Sequence, residues 1–137
     1  MEGASSIELA RDGRHLAVRG WTSRSPSHVL IFDTDSGEQV GSFDAEANFV
    51  LQAASLSPDG TQLVLAGAHE TYEADRWESK ATRSALEIRV YDWKSRRVVA
   101  RGFAPLSWDN FGRVSMIPGG EIVVQLAGGV SCYVPDS

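Results

Sequence analysis

One short pattern occurs three times along the chain, and it limits the fold more than any other feature of the sequence. Apolar and polar residues alternate up to a tight turn, and the alternation resumes after it. The turn contains Asp12-Gly13 in the first copy, Asp59-Gly60 in the second and Gly119-Gly120 in the third. Alternation with a period of two is typical of a strand with one covered face, and short Gly-rich turns join antiparallel strands. Each copy is therefore predicted to be a β-hairpin.

A second hairpin is predicted downstream of the first two copies. Residues 29–33 lead through the turn 34–37 into 39–43, and residues 87–92 lead through 93–96 into 98–103. Both leading strands end in an aromatic residue and an aspartate, Phe32-Asp33 and Tyr91-Asp92. An aspartate at this position accepts hydrogen bonds from backbone amides of the turn, so its expected role is structural and not catalytic.

Length and composition agree with a β-rich domain. A chain of 137 residues favours one domain, and glycine and proline interrupt many short apolar stretches, without a sustained 3.6-residue period. We expect an all-β domain of about eleven antiparallel strands in three propeller-blade-like units, at approximately 5–50, 51–110 and 111–137. The last unit is expected to lack its outermost strand. A β-sandwich or barrel is the alternative.

The middle unit carries a family resemblance. Its Ser57-Pro58-Asp59-Gly60 hairpin and its strand Val90-Tyr91-Asp92 resemble a blade of the bacterial WD-repeat and related β-propellers. The Gly-His pair of that family is absent, and Phe32-Asp33 and Tyr91-Asp92 stand where it has Trp-Asp. The resemblance implies a partial propeller.

Three units cannot close a ring, because propellers typically need about four to eight blades around the axis. Completion by a second copy would give six blades, and open sheet edges also favour association. We therefore expect a homo-oligomer or completion by another chain. A piece of a longer polypeptide is the alternative.

The first two units differ in the spacing between the aspartate of the first turn and the aspartate that follows the aromatic residue. Asp12 and Asp33 are 21 residues apart, whereas Asp59 and Asp92 are 33 apart. The excess of 12 is placed in the polar segment 69–85, because the flanking strands are of similar length. This insertion is expected to be a solvated charged loop, with a short amphipathic helical turn as the alternative.

Antiparallel strands in sequence order would put the tight turns of each unit at one end and the long connections at the other. Aromatic and arginine side chains on loops are enriched in binding hot spots, so the long-loop end is the predicted partner-binding surface. Its predicted binding residues are Trp21, Arg24, Phe49, Tyr72, Trp77 and Trp108. Packing against the core or an oligomer contact is the alternative for Trp21, Phe49 and Trp108, because each lies near a strand end.

No catalytic, metal or cofactor site is predicted. The sequence has neither a G-x-S-x-G elbow nor a G-x-x-x-x-G-K-[ST] phosphate loop, and the acidic residues around His69 match no known ligand spacing. Cys132 is the only cysteine, and its alternating strand favours a packed thiol. The inward strands are expected to be mostly apolar, which argues against an enzyme site at the ring axis.

The net charge of -5 disfavours binding to nucleic acid or an anionic membrane, and it favours a basic protein partner. No apolar run approaches the roughly 18 residues of a membrane span, and a cytoplasmic location is expected. The predicted function is a non-enzymatic, protein-binding module. The alternative is a small acidic inhibitor or immunity-type protein that blocks a basic enzyme.

Overall fold

A computed structural model describes residues 3–21, 27–74, 79–83, 86–104, 111–126 and 129–133. Within these ranges the chain is all-β. The strands are β1 (Gly3–Leu9), β2 (His15–Trp21), β3 (His28–Asp33), β4 (Gln39–Asp44), β5 (Phe49–Leu56), β6 (Gln62–Ala74), β7 (Ser79–Arg83), β8 (Leu86–Asp92), β9 (Arg97–Ala104), β10 (Phe111–Met116), β11 (Ile122–Leu126) and β12 (Gly129–Tyr133). The described part of the chain has no helix of the length and apolarity needed to cross a membrane.

The strands form three antiparallel sheets in chain order. The first sheet has the order β1-β2-β3-β4, the second β5-β6-β8-β9 with β7 paired to β6, and the third β10-β11-β12. Apart from the inserted β7, each sheet is a meander in which sequence neighbours are hydrogen-bonded neighbours, as in a propeller blade. The expected all-β fold class with blade-like units is confirmed.

The repeated turns form for local reasons. Gly13, Gly60 and Gly120 have φ values of 70°, 75° and 87°, a backbone region in which a side chain is strained. Glycine at this position therefore fixes where each hairpin reverses.

The aspartate after each aromatic residue has the predicted structural role. Asp33 Oδ1 accepts hydrogen bonds from the backbone amides of Asp35 at 2.8 Å and Ser36 at 3.1 Å. Asp92 accepts the same pair of bonds from Lys94 and Ser95. Hydrogen bonds to the ionised form hold the pKa of Asp33 below its usual value, so the carboxylate stays charged while it holds the turn.

The turn of the third unit is one residue shorter than the other two. Leu9 pairs with Leu16 and Leu56 with Leu63, whereas Met116 pairs with Ile122. Aligning the glycines alone therefore shifts the third return strand by one residue. In the structure Ile122, and not Val123, occupies the position that corresponds to Leu63.

The insertion in the second unit is a strand extension. Glu70 to Ala74 at the end of β6 pair with Arg83 to Ser79 of β7, so the predicted excess lies in the segment where the spacing placed it. Its expected loop or helical turn is wrong, because both flanks of the insertion are strand. A polar hairpin satisfies its backbone groups in its own ladder and needs no apolar face.

Two hydrophobic cores lie on opposite faces of the second sheet. The first core joins the first and second sheets, and the second core joins the second and third. Leu63 and Leu65 of β6 belong to the first core, while Val64 and Ala66 belong to the second. The pleat of one strand thus supplies both cores. The sheets stack like adjacent blades.

Candidate partner-binding surfaces

The hairpin turns and the other connections lie at opposite ends of the antiparallel sheets. At one end the turns touch each other, since Thr34 N donates to Arg14 O at 2.9 Å and Thr34 Oγ1 to Gly13 O at 2.8 Å. At the other end Ser27 Oγ donates to Phe49 O at 3.0 Å. The latter contact links the β2–β3 connection to the start of β5. We call this end the long-loop end.

A charged network is fixed at the long-loop end, between the first two sheets. The Arg89 side chain is 4% exposed, and its Nη1 donates to Glu46 Oε2 at 2.9 Å. Its Nη2 also donates to Glu46, and its Nε donates to Glu87, whose side chain is 4% exposed. The guanidinium lies 4.0 Å from the centre of the Phe49 ring. The buried Arg89 guanidinium is thus hydrogen-bonded to two carboxylates and lies beside an aromatic ring.

The network shifts the protonation of its members. Hydrogen bonds from Arg89 hold the pKa of Glu46 at about 2, below its ordinary value of 4.5, although burial acts against this. Burial also acts to lower the pKa of Arg89, but the hydrogen bonds to Glu46 and Glu87 raise it. Both groups are therefore charged near neutral pH.

Exposed groups surround the network. His69 Nε2 lies 3.0 Å from Glu46 Oε1. Arg101 Nε lies 3.8 Å from Glu87 Oε2, and its side chain is 55% exposed. Phe103, which pairs with Glu87 across the β8–β9 ladder, is 57% exposed. The long-loop end thus presents an arginine and an aromatic ring to solvent beside a rigid base.

A two-stranded ribbon extends from this base. β6 pairs with β5 up to His69 and with β8 up to Gly67, and beyond that it pairs with β7 alone. Glu70 N donates to Asn48 O at 2.7 Å, which attaches the root of the ribbon to the β4–β5 connection. The ribbon is residues 70–74 and 79–83.

The predicted binding residues fall into three groups. Phe49 is fully buried in the first core, which is the packing role considered for it and not a surface open to a partner. Trp21 ends β2, and Tyr72 lies in the ribbon opposite Ala81. Three further residues lie outside the described ranges: Arg24, Trp77 and Trp108.

The sequence did not indicate the ion network. Glu46 and Arg89 are 43 residues apart, and neither belongs to a recognisable motif. The one available signal was an arginine and a glutamate inside the otherwise apolar strand 86–91. Charged residues in a strand buried on both faces need partners.

A second candidate surface is one face of the first sheet. Ile7 pairs with Val18, Leu9 with Leu16, Leu16 with Phe32, and Val18 with Leu30, so these side chains share one face. None of them belongs to either core, and Ile7 and Leu9 are 67% and 57% exposed. We call this the open face: Ile7, Leu9, Leu16, Val18, Leu30 and Phe32.

A cavity of about 490 Å³ lies between the inner strands β1, β5 and β10. Its lining combines polar residues with apolar ones: Ser6, Glu8, Arg19, Arg113, Ser115 and Gln125 are polar, and Ile7, Val114 and Val123 are apolar. The expectation of mostly apolar inward strands therefore does not hold at this cavity, whose lining is mixed. Burial raises the pKa of Glu8, which Arg113 partly offsets, and burial lowers the pKa of Arg19. In the described ranges no three His, Cys, Asp or Glu side chains are grouped for metal binding.

Comparison with known proteins gives a structural similarity and no family. No family model matches the chain, and no curated protein matches it. Among solved structures, it is similar to the β-propeller domain of Cps50 (Swd1) from Myceliophteria thermophila, with 10% identity and a TM-score of 0.37. The match covers 95% of this chain and 53% of that domain, so the chain spans about half its length. A similarity this low does not identify the family.

Proposed function

We propose that this chain is a non-enzymatic, protein-binding module of the β-propeller type that binds its partner with the long-loop end and self-assembles towards a closed ring. The observation that carries the binding proposal is the ribbon on its fixed base. A basic partner surface belongs to the same proposal, because the chain carries a net charge of -5. A cytoplasmic location also belongs to it, because a single cysteine, Cys132, cannot form an intramolecular disulfide.

The ribbon has the features of a recognition element. Its backbone is paired across five residue pairs, so binding would not carry the cost of ordering an unpaired loop. Its root is held by Glu70 and by the ion network between Arg89, Glu46 and Glu87. Binding elements on a rigid scaffold are typical of interaction modules.

The exposed side chains near the root suit a protein partner. Phe103 and Arg101 are residue types enriched in binding hot spots, and both are more than half exposed. Tyr72 in the ribbon is a further aromatic residue, and Trp77 stands between the two ribbon strands in the sequence. An aromatic and arginine surface of this kind gives a partner both apolar contact and charge-assisted hydrogen bonds.

The proposal is tested by removing the ribbon without disturbing its root. Because Glu70 and Arg83 are paired, residues 71–82 are replaced by a two-residue Asn-Gly turn, which closes a short hairpin. Wild type and the shortened variant are immobilised and exposed to a soluble lysate, and captured proteins are quantified by mass spectrometry. We expect a protein captured by wild type to be lost by more than tenfold.

A double variant refines the result. Tyr72→Ala/Trp77→Ala keeps the ribbon and is expected to lose the same protein. The matched control is Val98→Ser/Val99→Ser on β9, since both residues are about 40% exposed and Val98 lies near the tight-turn end. Equal capture by wild type and the shortened variant, with an unchanged melting temperature, would show that the ribbon is not the binding element.

A further inference from the structure

We propose that the open face of the first sheet binds the third sheet of a second copy of this chain, so that two copies close a ring of six sheets. This inference rests on the self-assembly stated in the proposed function, and it assigns the two surfaces. Six sheets lie within the range of about four to eight that closed propellers use. A ring of two copies has a two-fold axis and two identical interfaces.

Equivalent positions in the three units are buried to different extents. Measured from the paired ends of each hairpin, Leu16 corresponds to Leu63 in the second unit and to Ile122 in the third. Leu63 and Ile122 are fully buried, because the preceding sheet covers them. Leu16 is only half-buried, although its side chain is as apolar as the other two. Among the described residues, no sheet packs on this face of the first sheet.

The first strands of the two sheets, β1 and β5, differ even more in the exposure of equivalent leucines. Leu9 of β1 corresponds to Leu56 of β5, since each pairs with the leucine after its turn. Leu56 is 6% exposed in the first core, whereas Leu9 is 57% exposed. The sequence thus places a core residue on a surface. Contiguous apolar side chains of this extent mark an interaction site.

The third sheet has a free face of the kind that covers the equivalent positions elsewhere in the chain. Where two sheets pack in this chain, the earlier sheet presents Ala17 and Ile31 in the first interface, and Val64 and Val90 in the second. By its position after the turn, Val123 corresponds to Ala17 and Val64 in the third unit. Val123 belongs to neither core and is partly exposed. The third sheet therefore carries the matching half of the interface.

Both halves of the interface are present in one chain, and this favours a second copy over an unrelated partner. The first and second sheets already pack by this rule, and so do the second and third. The third sheet of one copy against the first sheet of another repeats the contact a third time. A different protein would need a surface that matches the free face of the third sheet, which every copy of this chain already has.

The test is the solution mass of paired variants, measured by sedimentation and light scattering from about 1 to 500 μM. Wild type is expected at the mass of two chains. Leu16→Glu blocks the open face, and Val123→Glu blocks the third sheet, so each variant alone is expected at the mass of one chain. Val98→Glu, on an exposed position of β9, is the control and is expected to stay dimeric.

Mixing the two variants separates the assignment from other dimers. In a ring of two copies, one interface of the mixed pair is unblocked, so Leu16→Glu and Val123→Glu mixed together are expected to regain a two-chain species. A wild type that is monomeric throughout the range overturns the proposal. A dimer that Leu16→Glu disrupts and Val123→Glu does not would instead show two first sheets packed against each other.

Two further measurements keep the outcome interpretable. Circular dichroism and the melting temperature report whether each variant folds, and Leu16→Ser replaces Leu16→Glu if the charge prevents folding. The variant with the shortened ribbon is expected to remain dimeric while it loses partner capture. If wild type is a dimer but captures no partner, only the proposal that the ribbon binds a partner is contradicted. If wild type is a monomer that captures a partner, only the proposal of a two-copy ring is contradicted.

Discussion

The third strands of the first and second sheets occupy the same place in their units and are buried differently. In β3 (His28–Asp33) buried residues alternate with partly exposed ones, whereas in β8 (Leu86–Asp92) six consecutive residues are buried. Both are central strands of antiparallel meanders. The difference comes from the number of covered faces, because among the described residues the second sheet packs against a sheet on each side and the first against a sheet on one side.

The comparison also explains where charge is tolerated. Counted back from the aspartates that end the strands, Arg89 of β8 takes the place of Leu30 of β3. Arg89 is buried and has Glu46 and Glu87 as partners, while Leu30 lies on the open face. The covered face carries an ion network and the open face is apolar. Buried surfaces are usually apolar and exposed surfaces usually carry the charges, so this distribution is reversed. The apolar composition of the open face indicates that it is an interaction surface.

The largest expected effect is the loss of the buried guanidinium. Arg89→Ala leaves Glu87 buried without its closest partner, and we expect the free energy of unfolding to fall by about 3 to 5 kcal/mol. Leu30→Ala, at the corresponding position of the first sheet, is expected to cost about 1 kcal/mol or less at a protein concentration too low for ring formation. Urea denaturation measures both. The double variant Glu87→Gln/Arg89→Met is expected to regain part of the loss, and equal costs for the two single variants would contradict the comparison.

The next effect compares equivalent leucines. Leu63→Ala opens a cavity between two covered sheets and is expected to cost about 2 to 5 kcal/mol. Leu16→Ala removes a half-buried side chain, and at low protein concentration it is expected to cost about 1 kcal/mol. Denaturation at several concentrations sharpens the comparison, since the cost of Leu16→Ala should rise as the ring forms. A large cost that does not depend on concentration would mean that the open face is covered within one chain.

A smaller effect distinguishes two glycines with similar backbone angles. A Cβ at Gly60 would clash with the side chains of Asp12 and His15 from the first sheet, whereas a Cβ at Gly120 meets no described atom within 4 Å. We expect Gly120→Ala to cost about 1 to 2 kcal/mol through backbone strain alone, and Gly60→Ala to cost more. Thermal unfolding gives the order. Equal shifts in melting temperature would show that Asp12 and His15 move aside freely.

The smallest effect concerns pH. Because the pKa of Glu46 is about 2 in the folded chain and 4.5 ordinarily, its ionised form stabilises the fold above about pH 4.5. That contribution is lost as the pH falls from about 4.5 towards 2. Wild type should therefore lose more stability over this range than Glu46→Gln, as measured by urea denaturation at each pH. Parallel curves would show that Glu46 and Arg89 are not coupled in solution.

Local chemistry made much of the fold predictable from the sequence. The Asp-Gly turns, the aspartates that hold the second turns and the period-two strands depend on residues that are neighbours in the chain. The order of the strands followed from these, because short turns join neighbouring antiparallel strands. The fold class and the position of the insertion in 69–85 were therefore predicted correctly.

The remaining features depend on contacts between residues that are distant in the sequence, or on backbone pairing that a polar composition does not reveal. The insertion looked like a loop because its hairpin is polar and takes its pairing from its own ladder. Aligning the three units on their turn glycines gives a register for β11 that is wrong by one residue. Gly120 marks the position of the turn, but it does not fix how many residues separate the turn from the first pair of the ladder. Phe49 is an aromatic residue near a connection, and only the packing of two sheets shows that it belongs to the core.

The pleat of β6 has a consequence for how the molecule comes apart. Leu63 and Val64 are adjacent in the chain, yet each is fully buried in a different core. The backbone of this strand cannot open without loosening both cores, whereas β1 can fray while the second core remains intact. Amide hydrogens of residues 63–66 in β6 should therefore exchange with solvent most slowly, with protection decreasing outwards in both directions along the stack. The middle strand thus links two otherwise separate packing units into one cooperative transition.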